Sequence, residues 1–459
     1  MDKKNTWKSI LTFSLPVTLI GIFDLLLIWI DLFWIYFMVG EADALAAVRV
    51  SASVVILIEA VLVAVVSSLL IYLSQNLGAG KLDEVKRGIR GAFSFTIYGG
   101  IVITCLGVLF LPLLVKLFGV NAATSEFVKN YLGVYLLGYV FMSLNNLLLL
   151  LPRYFRKIKI IYKALALTAI INIIVTPLSM LLFNNLGLPI LSGAAMGTII
   201  ANLCCAIFVF WHIFLKDYLE INMKKSDLSW RLDYKLLLEN KGYISSQVFT
   251  GLTFNLSMFL YILILSYYPS DAFNVFAVGT YIFAFFGVLA QNFTSSLIPM
   301  VSKHVGAKEY DEIRDLVKKM ATVLLSFGSL VALLVMSSHS IFASLLAAEP
   351  HLVPLFSEFI MFYSIPWALN IVATVFIFVV AGSGDAKGSM TLTIVNMYVI
   401  VIVSMFTLPH LFENVTTGVF FTLGFIQVLT FFFSWFYYLL GRWEKASLVR
   451  NEEQQPAEA

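Results

Sequence analysis

Three carboxylates, Asp24, Asp31 and Glu59, fall deep inside long apolar stretches near the start of the chain, with no lysine or arginine at comparable depth to neutralise them. A charge held at the centre of a bilayer costs about 2.5–3.5 kcal/mol on insertion scales, so such groups are retained to bind something or are paired internally. The chemistry they offer is capture of a cation or a proton. Asp24 and Asp31 are seven residues apart, which on a helix places both on one face, about 10 Å apart along the axis. Burial beside a like charge suits at least one of them to carry an exchangeable proton. Glu59 either joins them or sits near the outer mouth of its helix.

Neutral oxygen donors stand further along. In IINIIVTPL, Asn172 and Thr176 are four residues apart and share a helix face, and Thr198 follows Gly193-Ala194-Ala195. Together with a carboxylate, such oxygens can hold a small hard cation, with Na+ at Asp31, Asn172 and Thr198 as one arrangement, or relay a proton. The second half of the chain has neutral residues on its polar faces: Asn255 and Ser257, Gln291, Asn292 and Thr294, and Asn396. Asn255, Gln291, Asn292, Asn396 and Glu59 are the candidates for lining a substrate cavity. The coupling chemistry is therefore expected in the first half, at Asp31, Asn172, Thr176, Thr198 and Asp24.

The elements that position these residues are membrane helices. With 60% hydrophobic and 12% charged residues and a mean hydropathy of +0.92, the chain is too apolar for a soluble domain, in which about half the residues are apolar and about a quarter charged. Its apolar runs exceed the roughly 10-residue alternating segments of a barrel. They match the roughly 20 residues that cross hydrocarbon as a helix, which satisfies its own backbone groups. Twelve spans are predicted, near 10–39, 51–75, 91–117, 127–152, 161–184, 190–215, 242–267, 272–301, 319–346, 352–382, 388–411 and 415–440.

Threaded alternately across a bilayer, these spans put all the basic residues on one side except Arg49, Lys116 and Lys129. The positive-inside rule makes that side, and both termini, cytoplasmic. A multi-pass protein of the cell membrane is expected, and the net charge of +3 is a topology signal and not a nucleic-acid patch. Cys105, Cys204 and Cys205 lie within spans, which leaves no disulfide framework and no thiolate metal spacing.

The chain also repeats itself. SQNLGAGKLDEVKR from Ser74 returns as SKHVGAKEYDEIR from Ser302, 228 residues later, and Ser125-Glu126-Phe127 with Tyr131 returns as Ser357-Glu358-Phe359 with Tyr363. Six spans precede the charged connection that begins at Lys216 and six follow it. The expected organisation is a first lobe over 1–215, a cytoplasmic linker over 216–241, a second lobe over 242–440 and a tail over 441–459. Both copies of the Gly-Ala loop lie on the cytoplasmic side, so the lobes are parallel repeats, an arrangement that suits alternating access around a site near the midplane. Pro16, Pro177 and Pro366 fall within spans, where each bends its helix.

In this order and at these spacings the motifs resemble those of the multidrug and toxic compound extrusion (MATE) transporters. Pro16 followed by IDLFW around Asp31 is similar to that family's proline and Val/Ile-Asp-Thr-x-Phe/Trp pattern. Leu45-Ala46-Ala47-Val48, the two Gly-Ala loops, Asn172 to Pro177 and Gly193 to Thr198 match as well. The resemblance covers essentially the whole chain. It implies an all-α integral membrane protein with twelve helices in two pseudo-symmetric six-helix lobes, no enzymatic activity, and antiport of organic cations against inward H+ or Na+. Asp31, Asn172, Thr176 and Thr198 fall on the family's cation site. Thr176 stands where the family usually has Asn or Asp, and Gly197 where it has Ala. Asn255 replaces the glutamate of one branch, which points to the branch called DinF-like.

Small organic cations and the lipid bilayer are the expected partners, with the protein acting as a monomer and without a cofactor beyond the coupling ion. The rival reading is a flippase or exporter of lipid-linked saccharides. A pyrophosphate headgroup calls for Arg or Lys in the cavity, and the deep spans offer none. An integral-membrane enzyme is excluded by the scatter of His212, His304, His339, His351 and His410 and by the absence of paired acidic or His motifs. A channel explains the duplicated lobes poorly.

Overall fold

The computed structural model describes residues 3–117, 121–223, 227–228, 231–347 and 349–449, and of Asp24 it describes the backbone alone. The first half comprises α1 (Lys3–Met38), α2 (Ala42–Gly78), α3 (Leu82–Leu117), α4 (Ala122–Leu137), α5 (Tyr139–Tyr154), α6 (Lys159–Asn185) and α7 (Ile190–Phe210), with α7 running into a π-helical turn over Trp211–Leu215. The short α8 (Tyr234–Glu239) lies in the linker. The second half comprises α9 (Lys241–Leu265), α10 (Ser270–Ser295), α11 (Leu297–Gly306), α12 (Tyr310–Ser337), α13 (His339–Leu346), α14 (Val353–Ser383), α15 (Ala386–Ile394), a π-helical turn over Val395–Val399, α16 (Ile400–Thr407) and α17 (Val415–Leu439).

Eleven stretches among the described residues are long and apolar enough to cross a membrane, and α4 with α5, bent by 59° at their junction, makes the twelfth. The expected all-α membrane fold is borne out, and no strand occurs among the described residues.

Packing divides the chain into two units, Leu19–Ile244 and Ser245–Ala459, the second taking in Met1–Thr18. The division thus falls within α1, just after Pro16. Ser14 Oγ shares a 2.6 Å hydrogen bond with Ser296 Oγ in the second unit, whereas Asp31 lies in the first.

The repeated loop is the same structure twice. After α2, Ala79 N donates to Gln75 O at 2.9 Å, Gly80 N to Leu77 O at 3.3 Å and Lys81 N to Asn76 O at 2.9 Å. After α11, Ala307 N donates to Lys303 O at 3.1 Å, Lys308 N to Val305 O at 3.0 Å and Glu309 N to His304 O at 2.9 Å. This is a helix end closed by a left-handed residue whose successor reaches back across the last turn. Gly80 takes that position in the first copy (φ +74). Lys308 takes it in the second, at φ +59, where an L side chain costs about 1–2 kcal/mol.

The charged run after each loop grips a different segment. In the first unit Arg87 on α3 donates through Nε to Asp233 Oδ2 at 2.8 Å and through Nη1 to Glu239 Oε2 at 2.9 Å, holding α8 against α3. Asp233 in turn caps α8, accepting from Leu236 N at 2.8 Å. Leu236 fits beside Gly91, where an added Cβ would stand 2.5 Å from Leu236 Cδ2. In the second unit Arg314 on α12 donates through Nη2 to Glu444 Oε1 at 2.8 Å, securing the turn that follows α17.

Candidate functional site

Close helix approach builds the site. Gly193 and Gly197 are four apart on α7 and let α6 come to backbone contact: a Cβ on Gly193 would stand 2.6 Å from Met180 Cα, and one on Gly197 would stand 2.5 Å from Thr176 Cα. Small residues at this spacing are how membrane helices pack when no hydrophobic driving force separates them from lipid. The departure of Gly197 from the alanine usual in the family is given a physical reason here, because an Ala at 197 would strike Thr176.

Thr198, next to Gly197, donates through Oγ1 to Asp31 Oδ2 at 3.3 Å while also bonding Ala194 O at 3.2 Å. The Asn172 side chain lies beside the same carboxyl. Asn172 and Thr176 are buried, at 2% and 0% exposure, one turn apart on α6. Asp31 Oδ1, Asn172 Oδ1 and Thr176 Oγ1 are all buried without a hydrogen-bond partner. Buried polar atoms are satisfied in the great majority of cases, so three orphaned oxygens on α1 and α6 form a polar cluster with the capacity to accept a proton or a small cation. The donor set is a carboxylate, an amide and hydroxyls, which suits H+ or Na+. Among the described residues no group of three or more His, Cys, Asp or Glu side chains has the makings of a metal site.

Asn202 Nδ2 donates to Thr198 O at 2.9 Å, and Asn145 Nδ2 donates to Asn202 Oδ1 at 2.7 Å. This pair of amides braces the Thr198 turn of α7 against α5. Neither was a candidate from sequence, although two asparagines inside apolar runs were visible there.

The bend between α4 and α5 carries a second group that sequence reasoning missed. Gly138 lies against Ile199 of α7, with a hypothetical Cβ 2.4 Å from two Ile199 carbons. Thr104 of α3 donates to Leu136 O at 2.9 Å, satisfying a carbonyl at the break. Tyr131 and Tyr135 on α4 stack with ring centroids 6.1 Å apart, and Tyr139 opens α5. The Asp31 carboxylate acts electrostatically on both Tyr131 and Tyr135. Three tyrosines at every fourth position in one apolar run were the signal available beforehand.

Glu59 is not at a helix mouth. It lies near the middle of α2, half-buried, and accepts a 3.2 Å hydrogen bond from Tyr139 OH. Asp24 was a further coupling candidate, and its side chain lies outside the described residues.

The remaining cavity candidates belong to the second unit. Asn255 and Asn292 bond back to their own helices, Nδ2 to Gly251 O and to Val288 O, each at 2.9 Å. Gln291 is exposed. Asn396 is buried in the π-helical turn, donates to Ser434 Oγ at 3.0 Å and keeps its Oδ1 unpartnered. Tyr363, the counterpart of Tyr131 in the repeat, packs among rings, Phe359 at 5.0 Å and Phe283 at 5.0 Å, and its hydroxyl accepts a 3.2 Å hydrogen bond from Gln427 Nε2.

Among curated proteins none matches the chain. Solved structures do match its fold. The Vibrio cholerae MATE transporter VcmN in the bent form superposes with a TM-score of 0.82 at 19% identity, over 96% of this chain and 98% of that one. A MATE structure in the bent conformation gives 0.82 at 16% identity over 97% of both chains. A multidrug resistance MATE family transporter in an outward-facing conformation gives 0.77 at 18%, over 97% and 98%. The MatE family model matches twice, over residues 16–178 and 247–407. With both halves accounted for in this way, the chain belongs to the MatE family, the multidrug and toxic compound extrusion transporters.

Proposed function

We propose that this transporter exports organic, cationic amphipathic compounds across the cell membrane by alternating access, in exchange for inward H+ or Na+ bound at Asp31. The observation that carries the reading is the single carboxylate of the Asp31 site, with its unpartnered Oδ1 beside the unpartnered oxygens of Asn172 and Thr176. Asp31 takes the ion on the outer side and yields it on the inner side, where the cationic substrate takes its turn. One inward charge contributes about 2.3 kcal/mol per 100 mV of membrane potential. Thr198 holds the carboxyl in place through its hydroxyl. Both termini lie in the cytoplasm in this reading, since the basic residues cluster on that side of the predicted topology, and the protein works as a monomer.

The test is efflux of ethidium from proteoliposomes with a proton or a sodium gradient imposed alone, comparing wild type with Asp31→Asn. Gradient-driven efflux is expected from the wild type under one of the two gradients and is lost in the variant. Undiminished efflux in Asp31→Asn removes the assigned role. Thermal stabilisation by polyprenyl pyrophosphates and not by organic cations favours a lipid-linked saccharide flippase instead.

A further inference from the structure

Glu59 poses a problem that the Asp31 site does not solve. It sits near the middle of a 37-residue membrane helix, at a depth where a carboxylate costs about 2.5–3.5 kcal/mol. No ion pair among the described residues involves it. Its hydrogen-bond partner is a neutral hydroxyl, Tyr139 OH, donating to Oε2 at 3.2 Å. That bond exists because the chain breaks at Gly138, which sets Tyr139 at the head of α5 while Tyr131 and Tyr135 remain on α4.

The Glu59 carboxylate acts electrostatically on Tyr139 and Tyr135, and the Asp31 carboxylate acts on Tyr131 and Tyr135. No basic group bears on either carboxyl among the described residues. Tyr135 is thus within electrostatic reach of both, and its ring stacks on that of Tyr131. At the position where the family pattern usually supplies a further side-chain carboxylate or amide, this chain has Thr176, which carries no charge.

We propose that Glu59 with Tyr139 is a second proton-exchanging station in the Leu19–Ile244 unit, separate from the Asp31 site. The unit then has two carboxyls to neutralise in each cycle. The step is a simple one: a proton adds to a Glu59 carboxylate oxygen on one side of the membrane and leaves from it on the other, while the Tyr139 O–H bond remains intact.

This deepens the antiport reading and rests on it for its meaning in transport, but the decisive measurement needs neither substrate nor gradient. Protonated-carboxyl bands are followed by difference infrared spectroscopy on the full-length protein in lipid as the pH is varied. Glu59→Gln is expected to delete one titrating band and leave another in place; Asp31→Asn deletes the other. Tyr139→Phe, which keeps the ring and removes the donor, shifts the Glu59 band without deleting it. Glu59→Gln is close in shape to the native residue, and a melt confirms that it folds; if it does not, Tyr139→Phe carries the test. A spectrum that neither substitution alters overturns the proposal, whatever ethidium efflux shows for Asp31. In proteoliposomes, Glu59→Gln lowers the number of protons exchanged per ethidium by one, and an unchanged ratio likewise overturns it.

Discussion

Gly197→Ala adds a single methyl group where the helices of the proposed cation site touch. The new Cβ would stand 2.5 Å from Thr176 Cα and 2.6 Å from Thr176 Oγ1, whereas ordinary contact begins at 3.4 Å. The difference between 3.4 and 2.5 requires α6 and α7 to part by about 0.9 Å. Backbone is what the methyl meets, so side-chain rotation cannot absorb it, and the cost falls at the upper end of the roughly 1–3 kcal/mol typical of overpacking. Thr198 follows directly, and its bond to Asp31 is already 3.3 Å long. A displacement of that size along the bond takes it to about 4.2 Å, beyond hydrogen-bonding range. Loss of a hydrogen bond to a carboxylate is worth about 1.5–3 kcal/mol, or about ten- to a hundredfold in apparent affinity for the coupling ion. The assay is the ion-concentration dependence of ethidium efflux, with a detergent melt alongside. Gly242→Ala is the control, since nothing lies within 4 Å of a Cβ there. If Gly197→Ala melts and transports like the wild type, the backbone contact argued above does not hold the site together.

Lys308→Gly relieves the left-handed position in the second copy of the loop and is expected to stabilise by about 0.5–1 kcal/mol, the conformational penalty less the added freedom of the unfolded glycine; an unchanged melt would show that the strain is absent. The Asp233 carboxyl is pushed up by burial but held below its usual value by the stronger combination of the Arg87 hydrogen bond, the Leu236 N–H and the charges of Arg87 and Arg90. Because its folded value is the lower one, its contribution is fully present at neutral pH and is lost as the pH falls through that folded value, below the ordinary aspartate range of about 3.9. A spin label on α8 is expected to stay immobile until then, and mobilisation at milder pH would show that Asp233 does not hold the helix.

The helical membrane fold was legible because hydropathy reports span length. The doubled loop was legible as letters, and the structure adds that its hydrogen bonds recur donor for donor, even where Lys308 replaces the glycine. Of the site, Asp31 stood out because a carboxylate in an apolar run has few explanations. Asn172, Thr176 and Thr198 followed from spacing and from the family resemblance. The tyrosine row did not, since aromatic residues at helical spacing usually fill a core, and nothing short of the bend at Gly138 distinguishes Tyr139 from its neighbours. The division inside α1 was also hidden: Pro16 marks a weak point in a helix, but which neighbours each part of it chooses is decided by side chains, such as Ser296, more than two hundred residues away.

The grip of Arg87 on Asp233 and Glu239 bears on how such a protein can be cut in two. A polypeptide stopped after α7, at the last apolar residue of the first half, would leave the guanidinium without either of these counter-charges and Gly91 facing a gap where Leu236 belongs. One carried on through Ile244 would keep all three. Co-expressed fragments divided at the later point therefore have the better prospect of assembling, because the first fragment brings its own clasp.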